Sequence, residues 1–226
     1  MAARTYGQYC GITTAVELVT ERWALLIVRD LLVGPRRYTD LKQGLPKIPT
    51  NILSTRLKEL QEGGVIRRVA LPRCGLVYEL TDYGRDLEPI VLALGRWGFR
   101  AMGDPREDDV ITADSLTMAL RSAFQPSAAA ALDFEIRVDD VVLRARVSDG
   151  ELSVVQIAPP MPPVGGALLS GEPQLSFSTG PDLRHLIAGT LSVADAVDQG
   201  VVTISKGSRK LLQRFATVFH IDGPTA

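Results

Sequence analysis

Residues 38–64 read YTDLKQGLPKIPTNILSTRLKELQEGG, and this stretch restricts the fold more than any other in the 226-residue chain. Two short helix-like segments flank a PKIP turn and end at Gly63-Gly64. Two strand-like runs follow at once, VIRRVALP and GLVYEL, joined around Arg73-Cys74-Gly75. Short helices with a tight turn between them form a helix-turn-helix, and a hairpin directly after it makes the unit a winged helix. Within the second segment Leu53, Leu57 and Leu60 recur at i, i+4 and i+7, the spacing of a buried stripe. The opposite side carries Asn51, Thr55 and Lys58, with Ser54 on its flank. A solvated helix face usually carries Glu and Lys. Short hydrogen-bonding side chains with a single positive charge are what a helix needs in the major groove. Asn can pair with adenine, Ser and Thr reach bases or phosphates, and Lys meets guanine or a phosphate.

The flanking sequence completes a small domain. Cys10 to Val19 reads as a first helix with Ile12, Val16 and Val19 on one side. Thr20 is expected to cap the next helix, ERWALLIVRDLLV, which is apolar nearly all round and therefore central. Gly34 and Pro35 stop it. Thr81 caps a last helix, DYGRDLEPIVLALGRWGFRAM, whose Leu87, Ile90, Val91, Leu94 and Trp97 form a broad stripe, with a kink expected at Pro89. A stripe that long at the end of a small domain wants a partner surface. Charge points the same way. Residues 1–103 hold 15 basic and 10 acidic side chains, residues 104–226 hold 10 and 16, and residues 34–73 hold 9 and 3. The first half is thus the one suited to a polyanion. Candidate DNA contacts are Arg36, Arg37, Thr50, Asn51, Ser54, Thr55, Arg56, Lys58 and Arg73.

From Tyr9 to about Met102 the chain resembles the HxlR family of bacterial winged-helix regulators, relatives of MarR. The residues that carry the resemblance are Cys10, ERWALLIVRDLLVGPRRYTDLKQGLP, ILSTRLKELQEGGVIRR and YELTDYGRDLEPIVLALGRWG. The resemblance implies a homodimer packed through the helices around 10–19 and 87–97, with operator DNA bound by the helix at 50–60 and by the wing. The wing tip LPRCGLVYEL is short and carries only Arg73, where longer basic tips are usual.

GDPREDDVITAD, residues 103–114, reads as a linker, which sets the domains at 1–102 and 115–226. SLTMALRSAF is a helix. ALDFEIRV then alternates, with Leu132, Phe134, Ile136 and Val138 on one face and Asp133, Glu135 and Arg137 on the other. Turns at Asp139-Asp140 and Asp149-Gly150 lead into VVLRARV and ELSVVQ, a meander with one apolar and one solvated face. After the Pro/Gly-rich but apolar IAPPMPPVGGALLSGEP come a strand QLSFS, helices in PDLRHLIAG and SVADAVDQG, a strand VVTIS and a helix SRKLLQRFATVF. The stretch LRHLIAGTLSVADAVDQGVVTISKGSRKLLQRFATVF resembles the sterol carrier protein type two fold. That resemblance implies a five-stranded sheet with helices over one face and an apolar cavity between. The expected class for the whole chain is α+β: a winged helix, then an α/β sandwich on a mainly antiparallel five-stranded sheet. The candidate ligand-lining residues are Met118, Phe134, Ile136, Leu143, Met161, Leu168, Phe177, Leu186 and Phe215, and the ligand expected is small and apolar or amphipathic.

Other chemistries find no residues. The chain has no Walker loop, G-x-G-x-x-G, H-E-x-x-H or G-x-S-x-G, and its two histidines, His185 and His220, lack companions at metal-ligand spacing. No enzyme activity, metal or cofactor is expected. Two cysteines without a C-x-x-C pair suit a reducing compartment, no apolar run approaches the roughly 20 residues of a membrane span, and the N-terminus lacks an apolar core of signal-peptide type, so a cytoplasmic protein is expected. The reading is a homodimeric regulator, a repressor, that binds an inverted-repeat operator in double-stranded DNA and responds to an apolar ligand. One alternative is a thiol switch at Cys10 with a structural second domain; another is a carrier or enzyme-like second domain.

Overall fold

A computed structural model describes residues 5–72, 74–128, 131–158 and 169–222. The chain divides into two compact units, Met1–Val91 and Leu92–Ala226, with the division inside one helix.

The first unit begins with α1 (Gly11–Val19), α2 (Ala24–Val33), α3 (Tyr38–Gly44) and α4 (Thr50–Glu62). The hairpin β1 (Ile66–Leu71) and β2 (Gly75–Leu80) follows, then α5 (Asp82–Arg85) and the start of α6 (Glu88–Phe99). Ile27, Val28 and Leu31 of α2, Leu41 of α3, and Leu53, Leu57 and Leu60 of α4 meet in one core closed by Ile66 and Leu80. α2 is therefore the central helix, as its all-round apolar sequence demands. The hairpin pairs Ile66 with Leu80 and Arg68 with Tyr78, and the backbone of Arg36 pairs with Tyr78 as a rudimentary third strand.

Two local expectations change. Thr20 does not cap α2; it closes α1, its hydroxyl donating to Val16 O at 2.7 Å, and α2 starts at Ala24, behind Trp23 in a left-handed conformation, φ 82°. The helix at 82–102 is not kinked but divided. Thr81 caps α5 by accepting from Gly84 N–H at 3.0 Å, and the chain restarts at Glu88 because Pro89 has no N–H to continue the ladder.

The second unit contains α7 (Ala113–Ala123), β3 (Leu132–Val138), β4 (Val141–Ser148), β5 (Glu151–Ala158), β6 (Leu175–Thr179), α8 (Leu183–Ile187), α9 (Val193–Asp198), β7 (Val202–Lys206) and α10 (Arg209–Val218). The strand order is β5-β4-β3-β6-β7; β3 and β6 are parallel and the other neighbours antiparallel. Asp139, Asp149 and Gly150 take positive φ at the two hairpin turns, where Asp and Gly are the tolerated residues. Thr112 caps α7, with a reciprocal bond from its own N–H to Ser115 Oγ at 2.9 Å.

The inner face of this sheet is as the alternation demands, with Leu132, Phe134, Ile136 and Val138 all buried. The outer face is not simply solvated. Arg144 is buried there: its Nε donates to Asp133 at 2.5 Å and its Nη1 to Gly171 O at 3.2 Å. Arg146 donates to the same carboxylate at 2.7 Å and to Ser170 O at 2.6 Å. The two arginines thus hold residues 170–171 against a sheet face that alternation alone assigns to water.

Candidate nucleic-acid interface

The three leucines of α4 are buried, which turns Asn51, Ser54 and Lys58 outward. Two hydroxyls bond back to their own helix, Ser54 to Thr50 O at 3.0 Å and Thr55 to Asn51 O at 2.9 Å. Each keeps acceptor capacity and can rotate to donate outward. The Asn51 amide makes no hydrogen bond among the described residues, so both its donor and acceptor groups are open to a base edge. Lys58 lies 3.6 Å from Glu62 with both side chains exposed, a pair that is screened and readily exchanged for a phosphate. Tyr38, at the start of α3, donates from its hydroxyl to Thr50 O at 2.9 Å and lies 3.3 Å from Ser54 Oγ, which ties the first turn of α4 to the preceding helix.

The arginines separate into two groups. Arg37 is exposed and its Nε donates to Cys74 O at 2.7 Å, so it braces the wing turn. Arg36 and Arg56 turn inward: Arg36 is buried with Nη1 on Pro35 O at 3.0 Å, and Arg56 pairs with Glu21 and Glu59. Backbone pairing to Tyr78 pulls Arg36 under the hairpin. The place of Arg56 beside the buried leucine stripe sends it toward α1. Arg73 lies outside the described residues. A cation that the sequence reading missed is Arg68, exposed on β1 and held 5.9 Å over the Tyr78 ring. Its signal was the cross-strand pairing of Arg68 with Tyr78, visible only once the hairpin register is known.

The family model for the HxlR-like helix-turn-helix matches residues 18–105. The HTH-type transcriptional regulator YvaP of Bacillus subtilis is 39% identical over 85 residues, covering 37% of this chain and 79% of its own length. The chain belongs to the HxlR-like helix-turn-helix family. The HTH-type transcriptional regulator Rv3095 of Mycobacterium tuberculosis is 43% identical over 90 residues, 39% of this chain and 56% of that protein. A solved structure of the redox regulator HypR in its oxidized form is 26% identical, covering 42% of this chain and all of its own, at a TM-score of 0.39. The HxlR-like family consists of DNA-binding regulators and not enzymes, and α3 and α4 lie within the residues that match its helix-turn-helix.

Two further sets of residues are placed outside that interface. Cys10 is exposed as the N-cap of α1, and its pKa is lowered chiefly by hydrogen bonds from the Thr13 and Ile12 backbone N–H groups. In the second unit Met118, Phe134, Ile136, Leu143, Phe177, Leu186 and Phe215 are all buried. The rings of Phe134, Phe177, Phe215 and Phe219 stand 4.8 to 6.5 Å apart between the sheet and α10. The aromatic members of the ligand set thus pack on one another as core. Met161 and Leu168 lie outside the described residues. No helix among the described residues is long and apolar enough to cross a membrane.

Proposed function

We propose that the chain is a dimeric transcriptional regulator that reads an inverted repeat through α4 and braces the flanking phosphates with the wing. The observation that carries this reading is the exposed face of α4, where Asn51, Ser54 and Lys58 point outward and the Asn51 amide is uncommitted. Asn51→Ala is expected to lose about 1–3 kcal/mol on a duplex selected by the protein from random sequence, and less on unselected DNA. Lys58→Ala should weaken both and lower the salt slope by about one unit. Unchanged affinity in both variants, titrated in one buffer, rules out the groove assignment.

For the signal, the sequence suggested an apolar ligand in the second unit. Its remaining support is the resemblance of residues 183–219 to a sterol-carrier fold, and a ligand among Phe134, Phe177 and Phe215 has to separate rings already in contact. The thiol reading has a specific geometric observation: Cys10 is exposed at a helix N-terminus that favours the thiolate. Because its pKa lies below the ordinary value, Cys10 should alkylate with iodoacetamide faster at neutral pH than an unstructured cysteine peptide. Equal rates across the pH range remove the thiolate argument. If oxidant releases DNA from the unmodified chain but not from Cys10→Ser, the thiol is the sensor.

A further inference from the structure

Arg56 sits on α4, the proposed recognition helix, yet its side chain is only 14% exposed and its guanidinium reaches Glu21 at the junction of α1 and α2. Nη2 donates to Glu21 Oε2 at 3.0 Å, Nη1 donates to Glu59, and Nε is buried without a hydrogen-bond partner. Glu21 and Glu59 are 38% and 42% exposed, so the pair lies at the edge of the surface, where its contribution to stability is small and its directional bonds are the larger effect. A second contact joins the same elements. Leu18 of α1 stands so close to Gly63, at the end of α4, that a Cβ there would lie 2.8 Å from Leu Cδ2. A third observation marks the junction itself: Trp23 holds φ 82°, a strained conformation for a bulky residue, with the Arg22 guanidinium 5.2 Å over its ring. The N-terminal end of α1 meanwhile exposes Cys10, its N-cap, and Ile12.

We infer that Arg56 is a positioning residue, which through Glu21 fixes the recognition helix to the α1–α2 junction, so that a displacement of α1 is transmitted to the helix that reads DNA. This rests on the operator-binding reading above. Leu18 against Gly63 sets the distance between the helices. The Glu21–Arg56 pair sets their relative rotation, because a charged pair with directional hydrogen bonds resists sliding where leucines do not.

The test uses the full chain with Glu21→Gln, Arg56→Gln, the double variant, and the exchanged pair Glu21→Arg with Arg56→Glu. Each is titrated on a duplex selected by the unmodified chain and on a random duplex, across a salt series, with thermal midpoints measured alongside. The expected result is a loss of about five- to tenfold on the selected duplex in each single variant, and no further loss in the double. Random-duplex affinity and salt slope should stay as they were, and the exchanged pair should recover part of the loss. If Arg56→Gln weakens both duplexes alike and lowers the salt slope by about one while Glu21→Gln does nothing, Arg56 is a phosphate contact and the inference falls. It falls equally if the midpoints drop while the selected-to-random ratio holds, because the pair is then a brace without a role in reading. An unmodified chain that binds no DNA at all removes the operator reading itself, a separate outcome from these.

Discussion

At the scale of single residues, the side chains most open to misreading in the sequence are charged ones that the fold pairs and partly covers. Asp133 occupies an outward position of an alternating strand, yet it accepts from Arg144 at 2.5 Å and from Arg146 at 2.7 Å. Burial raises its pKa, but the two guanidinium bonds outweigh that and the net value lies below the ordinary 3.8. The sign follows directly. A carboxylate whose folded pKa is depressed contributes stability that is present above its unfolded pKa and is lost as pH falls through the folded one. The second unit should therefore lose stability below about pH 4. Asp133→Asn should lower stability at neutral pH and flatten that acid limb. A melting series from pH 7 to pH 3 in which the variant and the unmodified chain keep parallel curves would contradict the assignment.

At the scale of elements, close approach decides more than propensity. Gly84 lies in α5 where a Cβ would stand 2.0 Å from the Val65 carbonyl oxygen, below any real contact distance. The short helix can pack on the hairpin entry only with no side chain there. Gly84→Ala should consequently destabilise the winged unit by more than the roughly 1 kcal/mol typical of point mutations, although alanine is the better helix former. A thermal midpoint that rises in this variant would show that α5 is free to shift. The helix α6 makes the complementary point. None of its residues is buried, and Ile90, Leu94 and Trp97 are 52%, 44% and 73% exposed. A three-turn apolar helix in that state is what the proposed dimer would cover.

At the scale of the whole molecule, that surface argues for two copies. Two recognition helices related by a twofold axis should read half-sites roughly 10 base pairs apart, or a multiple of that. Leu94 and Trp97 replaced together by Glu should give a monomer with very weak operator binding, measured by sedimentation and by titration of the same samples. Monomeric unmodified protein at micromolar concentration would count against the arrangement. The charge distribution is consistent with DNA meeting the first unit, because the basic excess of residues 34–73 lies wholly within it.

The sequence alone determined the order and kind of nearly every element, because periodicity and turn chemistry are local. The leucine spacing of α4, the PKIP turn, the alternation of β3 and the Asp-Gly turn each depend on neighbours within a few residues. It also determined which face of α4 is polar, since three buried leucines leave only one side outward. What the tertiary structure decided is where long side chains go. Arg36, Arg56 and Arg144 read as surface cations in a string, and each is drawn inward by a partner remote in sequence: the Tyr78 strand, Glu21, and Asp133 with Gly171. The same holds for the aromatic residues of the second unit. Alternation places Phe134 and Phe177 on one face, but whether that face encloses space or fills it depends on Phe215 and Phe219 arriving from the last helix, and there the rings close on one another. A charge or a ring has several ångströms of reach, and its destination is set by which distant groups the fold brings within that radius.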